Sequence, residues 1–309
     1  MKIRTIIAGL LILFSASLYA DWQLSGTVLT DPDTGWAFNV NKSFSYNDGK
    51  ETFTGMAITS TKTIGTGVVD FRNKALPEGV TLIAIGTGNS INSVSEMHIP
   101  DTVVYIGNDA FNSRALTKIY PCFPDSVRYI GKYAFYRTGA QTFAGDGEGN
   151  VRIGGGGHPF KWGGTYAFQR AKNVVDLTLG SGVTNLPESV FEACTLLKTV
   201  TFLGKGLESV GPYAFSECTE LSEIYPELSS TVTYMGKYAF NNCKKLGSIR
   251  IGGQKPFAFQ SVSDGRWLYG MSVLSNVTFG AGVTLPSNGN KLLEHSNTEN
   301  SVKTLVFEG

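Results

Sequence analysis

From about residue 80 onward, apolar positions along this chain recur in a fixed order of short blocks. A V-x-x-I-G step comes first: an extended segment ended by glycine, which tolerates positive φ. A stretch A-F-x-x-C-x-x-L follows, with apolar side chains three and four apart, the spacing of one face of a short helical turn. The block closes on L-x-x-I-x-[IP], whose alternation predicts a strand. One unit reads LESVGPYAFSECTELSEIYP over 207–226, and the next reads VTYMGKYAFNNCKKLGSIRI over 232–251. Their apolar residues fall at matching offsets: Leu207/Val232, Val210/Met235, Ala214/Ala239, Phe215/Phe240, Cys218/Cys243, Leu221/Leu246 and Ile224/Ile249.

The blocks are therefore copies. YIGKYAF at 129–135 returns as YMGKYAF at 234–240, and the A-F phenylalanines stand at Phe111, Phe135, Phe168, Phe191, Phe215 and Phe240, at intervals of 24, 33, 23, 24 and 25 residues. A single unit cannot bury its apolar side, so the copies are expected to stack as rungs of a solenoid, each Phe resting on the next. Longer echoes point to duplication of a unit of about 100 residues. VRIGGGGHPF (151–160) returns as IRIGGQKPF (249–257), LTLGSGVTNLP (177–187) as VTFGAGVTLP (277–286), and LKTVTF (197–202) as VKTLVF (302–307). Eight or nine rungs fit between residue 80 and the C-terminus. The long interval is expected to hold an insertion from Gly139 to Phe160, and the stretches 161–173 and 254–275 depart from the pattern.

Residues 21–79 lack the repeat. WAFNV, FSY and ETFTG around Asn47-Asp48-Gly49 predict a β-hairpin, placed to cap the first rung. Residues 1–20 differ again: Lys2 and Arg4 precede an apolar run from Ile6 to Leu18, with small residues before Asp21. This is the pattern of a secretory signal peptide. The run is too short for a membrane span, which needs about 20 apolar residues, and no second apolar span follows. Its removal would change the net charge from +1 to −1. So even a balance argues against a broad electrostatic grip on nucleic acid or an anionic membrane.

Candidate chemistry is sparse. Four cysteines in an exported chain invite a disulfide reading, but Cys194, Cys218 and Cys243 each lie three residues after a corner Phe and form one inward column in which three cannot all pair, so free buried thiols are favoured over a bridge; Cys122 lies outside the column. The three histidines, His98, His158 and His295, share no catalytic or metal spacing, and the cysteines have no C-x-x-C or nearby His, so no metal site or cofactor is expected. Gly154–Gly157 lacks the following Lys-Ser/Thr of a phosphate loop and reads as a turn. Asp31-Pro32-Asp33-Thr34-Gly35 lacks the ligands that would complete a calcium loop and reads the same way, as does Asp146-Gly147-Glu148. No carboxylate pair stands out as general acid and base.

What remains is surface. Outward strand residues of stacked rungs form columns about 5 Å apart. The pattern assigns Lys118, Tyr120, Asp176, Thr178, Lys198, Thr201, Glu223, Tyr225, Ser248 and Arg250 to this face, with Tyr120, Tyr225 and Arg250 as the side chains most suited to a binding hot spot. Tyr105, Tyr129 and Tyr234 form a second set at matched offsets before the I-G corner.

The pattern I-G-x-x-A-F-x-x-C-x-x-L-x-x-I-x-[LI]-P resembles the BspA-type leucine-rich repeat, carried by exported bacterial proteins and some surface proteins of protists. The segment W-A-F-N-V … G-K-E-T-F-T-G is similar to the short β segment that often precedes such repeats. The resemblance covers about residues 80–309. It implies a secreted or surface binding scaffold, in some relatives an adhesin for host matrix proteins, and it implies no catalytic residues. No cell-wall sorting signal is evident. The expected fold is an α/β, β-rich leucine-rich-repeat solenoid with rungs of about 23–25 residues, short helical turns, a signal peptide over 1–20, a β cap over 21–79 and the solenoid over 80–309. The expected function is noncovalent recognition of an extracellular protein or glycan. The rival readings are a carbohydrate-active enzyme on a repetitive β scaffold and a purely structural spacer.

Overall fold

The computed structural model describes residues 20–88, 91, 93–112, 115–120, 123–138, 150–204, 206–225, 231–260, 267–285 and 302–308. Residues 1–19, which hold most of the expected signal peptide, Cys122, the first half of the 139–160 segment and His295 lie outside the described residues.

Each rung has three sides. The front side is a strand of two to four residues: β5 (Val69–Asp70), β7 (Glu96–His98), β9 (Lys118–Tyr120), β11 (Asn150–Ile153), β13 (Asp176–Leu179), β15 (Thr199–Phe202), β17 (Glu223–Tyr225), β19 (Ser248–Ile251), β21 (Asn276–Phe279) and β22 (Thr304–Phe307). These pair in parallel as three successive sheets, β5-β7-β9, β11-β13-β15-β17 and β19-β21-β22. Both breaks follow a Tyr-Pro sequence, Tyr120-Pro121 and Tyr225-Pro226.

The second side is built from short strands: β6 (Leu82–Ile85), β8 (Tyr105–Ile106), β10 (Tyr129–Ile130), β12 (Lys161–Trp162), β14 (Asn185–Leu186), β16 (Ser209–Val210), β18 (Tyr234–Met235) and β20 (Ala258–Phe259). The cap strands β1 (Gln23–Ser25), β2 (Val28–Thr30), β3 (Ala37–Asn47) and β4 (Thr52–Thr63) form an antiparallel meander. At β4 the pairing turns parallel, Met56 opposite Leu82 and Ile58 opposite Ile85, so the meander continues directly into the second side. On the front side, parallel pairing already begins with Val69 opposite Met97.

The third side corrects an expectation. No helix occurs among the described residues, and the A-F-x-x-C stretch is a train of turns. Two non-glycine residues per corner adopt left-handed φ, Tyr133 (55°) and Arg137 (57°), and likewise Tyr213 (55°) and Glu217 (62°), which interrupts any i to i−4 ladder. Successive N–H groups alternate instead. Those of Tyr133, Phe135 and Arg137 donate to Thr165, Ala167 and Gln169 of the next rung, while those of Ala134, Tyr136 and Thr138 close turns on Gly131, Tyr133 and Phe135. The apolar three-and-four spacing thus serves a hydrogen-bonded stack of turns, and the fold is a β-solenoid without helical turns. Because this conformation strains an L-residue, Ala193→Gly (φ 57°) is expected to raise stability by about 0.5–1 kcal/mol in urea unfolding.

At the I-G step Gly86 has the expected positive φ (71°), but the glycines of the later rungs have a different role. Gly107, Gly131, Gly211 and Gly236 do not have positive φ; a Cβ at any of them would run into the backbone of the preceding rung. Glycine here permits close approach.

The core is the predicted column. Phe111, Phe135, Phe168, Phe191, Phe215 and Phe240 are fully buried, with consecutive ring centroids 4.9–5.6 Å apart. Phe168 keeps this spacing, so the rung at 161–173 is regular. In the rung containing 267–275, Leu268 takes the Phe slot and Met271 the Cys slot, both buried. The segment read as an insertion is in part a rung: β11 pairs with β13, and Phe160 is buried. Cys194, Cys218 and Cys243 are free and buried, each thiol donating to the carbonyl of Phe168, Phe191 or Phe215 one rung earlier at 3.2 Å. Burial pushes all three thiols well above their ordinary pKa.

Candidate functional site

Strand register decides which side chains share the front surface. In the central sheet, Val151, Leu177, Val200 and Ile224 turn inward and their neighbours outward. One outward column runs Asn150, Asp176, Thr199, Glu223, and the other Arg152, Thr178, Thr201, Tyr225. Asp176, Thr178, Thr201, Glu223 and Tyr225 therefore stand where the sequence pattern put them. Lys198 does not: it precedes β15, its N–H donating to Val175, and Thr199 takes its slot with its hydroxyl donating to Asp176. Strand alternation places Thr199, two residues before Thr201, on the same outward face.

Lys118 and Tyr120 lie on β9, opposite Glu96 and His98. Lys118 Nζ is 3.1 Å from Glu96, whose carboxylate also faces His98 Nε2 at 3.4 Å, while Asp70 faces His98 Nδ1 at 3.3 Å. This charged cluster was not foreseen, because β5 and β7 lack the A-F mark. Ser248 and Arg250 lie on β19 beside Asn276 and Thr278. Arg250 makes a two-pronged pair with Glu308, just beyond β22, which holds the Glu308 carboxyl below its usual range. Arg152, absent from the expected set, is legible only through the VRIGG/IRIGG echo. It is exposed and lies 3.5 Å from Asp125.

The second tyrosine set splits. Three register shifts bend the long β3–β4 hairpin. Its distal half packs Phe44, Tyr46 and Phe53 onto Ile83, Ala84, Val104 and Tyr105. Tyr105 and Tyr129 stack at 4.3 Å, with Tyr46 at 5.2 and 5.8 Å from them. At the hairpin tip the buried Arg128 pairs with Asp48 at 3.5 Å and covers the Phe53 ring. Burial works against the charge of Asp48, but the N–H groups of Glu51 and Lys50 and the Arg128 guanidinium hold its carboxyl below the usual range. Tyr105 and Tyr129 thus belong to a small second core. Tyr234, at the matched offset 105 residues after Tyr129, lies beyond the hairpin and is half-buried.

Burial drives Tyr46 from 10.0 up to about 12. Since its folded pKa lies above the unfolded one, its contribution is intact below pH 10 and is lost as the pH rises toward about 12. Absorbance titration of the folded chain against Tyr46→Phe is expected to show one tyrosinate missing from the ordinary step and appearing near 12.

Among the described residues no group of three His, Cys, Asp or Glu side chains is placed to hold a metal. The Asp31–Gly35 segment is a turn in which Lys74 Nζ lies 2.7 Å from Asp31 and 2.9 Å from Asp33. No helix among the described residues is long and apolar enough to cross a membrane.

The sequence matches the BspA type leucine-rich repeat region in six copies, over residues 67–145 and 164–262, more than half of the chain. The chain belongs to the BspA-type leucine-rich repeat family. Solved structures similar to this BspA-type chain include a leucine-rich repeat protein from Bacteroides ovatus (21% identity over 86% of this chain and 78% of that one, TM-score 0.43). A leucine-rich cell surface protein from Faecalibacterium prausnitzii matches at 17% identity over 87% and 96%, TM-score 0.34. The pneumococcal vaccine antigen PcpA matches at 14% over 92% and 86%, TM-score 0.34. No curated protein matches the chain significantly.

Proposed function

We propose that this BspA-type chain is an exported, non-catalytic binding scaffold that recognises an extracellular protein or glycan through its front side. The observation that carries the reading is the straight outward column Arg152, Thr178, Thr201, Tyr225, in which the Tyr225 side chain is 64% exposed. An exposed aromatic beside hydroxyls and a guanidinium, held on a rigid sheet, suits a contact surface with little ordering cost. The cleft between β17 and β19 is only about 80 Å³, below the ~300 Å³ or more typical of small-molecule sites. Many modest contacts along an open surface fit this shape. Arg250, Lys118 and Arg152 are each paired with a carboxylate, Glu308, Glu96 and Asp125, so most of the weight falls on Tyr225.

The test is binding of residues 21–309 to a panel of matrix proteins and glycans, with Tyr225→Ala/Arg152→Ala as the comparison. The expected result is saturable binding to a panel member, weakened about tenfold or more in the variant at unchanged melting temperature. Equal binding by the variant would remove the front side from the account.

A further inference from the structure

The turn side carries a second surface that the strand pattern does not reveal. Rungs 131–138 and 163–173 contain several basic residues and no Asp or Glu. The corner before them carries one acid and one base, Asp109 and Arg114, and the corner after is acidic, with Glu188 and Glu192. Within this basic pair of rungs, Tyr133 stacks on Tyr166 at 5.1 Å and meets Tyr136 edge-on at 5.3 Å. Lys132 Nζ lies 5.0 Å from the Tyr133 ring centre, and the Arg137 guanidinium 4.8 Å from that of Tyr136. Arg170 occupies in the next rung the left-handed slot that Arg137 holds, φ 62° against 57°. Lys132, Arg137 and Arg170 are exposed and the three tyrosines half-buried. No ion pair joins any of the three cations to a carboxylate among the described residues.

The fold does not require a cation at Arg137 or Arg170. The left-handed slot of Arg137 and Arg170 holds Ala193, Glu217 and Asn242 in the following corners, whereas the slot of Tyr133 and Tyr166 holds Ser189 and then Tyr213 and Tyr238. Two unpaired guanidinium groups at one rung's spacing repel each other, which makes an anion the natural complement.

We infer that this patch binds an anionic polysaccharide of the polyuronate class, lying along the solenoid axis. Successive rungs repeat at about 4.8 Å. A sugar residue in an extended chain has a similar length, so carboxylates along the chain fall within reach of the long, flexible Arg137 and Arg170 side chains. Each guanidinium can take a carboxylate through two parallel N–H···O bonds. The tyrosine rings offer apolar surface to the C–H faces of the sugars, with hydroxyls at their rims. This surface is separate from the front side, so either reading can fail without the other.

The experiment is affinity electrophoresis of residues 21–309 through gels containing polygalacturonate, dextran sulfate or neutral dextran. The expected result is retardation by polygalacturonate that weakens with salt, no retardation by neutral dextran, and about a tenfold weaker interaction for Arg137→Ala/Arg170→Ala. The Ala variants suit a slot that already accepts Ala193, and Lys132→Gln is a second variant expected to weaken binding in the same direction. Lys42→Gln/Lys62→Gln removes the same charge from exposed cap positions and is expected to bind like the parent. The inference is overturned if the Arg variant is retarded like the parent, if the cap variant loses as much, or if only dextran sulfate retards the chain.

Discussion

Phe215→Ala is expected to destabilise the chain by about 3–5 kcal/mol, the cost of a large core truncation that leaves a cavity. Phe215 is fully buried between Phe191 and Phe240, at centroid distances of 5.6 and 5.3 Å. Its backbone is equally committed. The N–H donates to Ala239, and the carbonyl accepts the Cys218 N–H and the Cys243 thiol. Every rung on either side leans on this position, so the void cannot close without shifting two interfaces. Phe215→Leu is the control: Leu268 fills the equivalent slot naturally, and this smaller truncation is expected to cost about half as much as the alanine change. Urea unfolding followed by circular dichroism measures both. A loss below about 1 kcal/mol for the alanine variant would show that the column does not hold the stack together.

Gly211→Ala is expected to cost about 2–3 kcal/mol, although it adds only one methyl group. Its Cβ would lie 2.7 Å from the Leu186 carbonyl oxygen and 2.8 Å from the Pro187 carbonyl carbon, backbone atoms that cannot swing aside. The Gly211 N–H also donates to Leu186 at 2.8 Å, so pushing the rungs apart weakens that bond too. Gly247→Ala supplies the contrast. Its nearest neighbour, Val273 O, would be 3.9 Å away and its φ is not positive. There, the smaller entropy of the unfolded alanine chain is expected to give a neutral or slightly stabilising change. Equal behaviour of the two variants in thermal unfolding would mean that close rung approach is not why glycine occupies the I-G step.

The stacked core was readable because the repeat brings the same letter to the same offset: six phenylalanines and three cysteines could only align along one axis. The turn side was not. Apolar residues three and four apart satisfy a helix and a train of turns equally well, and only the left-handed φ at positions such as Tyr133 and Arg137 separates them. Matched offsets misled in another way. Tyr105, Tyr129 and Tyr234 occupy equivalent slots, yet the first two lie beneath a hairpin contributed by residues 44–53, far away in sequence. Repeat logic predicts the environment made by neighbouring rungs and is blind to a cover supplied from outside. The front side shows the same limit: register explains Thr178, Thr201 and Tyr225, while the Arg250–Glu308 pair depends on a residue 58 positions away.

The most direct test of the front-side account blocks that surface without altering the core. The described native thiols are buried, so a cysteine placed outward can be labelled selectively in a Cys122→Ser background. Thr201→Cys carrying a bulky maleimide would cover the middle of the outward columns, and the same label on Lys244→Cys would sit on an exposed turn. Binding to the partner selected from the matrix-protein and glycan panel would be measured for both. The account predicts that the label at 201 abolishes binding and the label at 244 leaves it intact. Undiminished binding with position 201 labelled would contradict it.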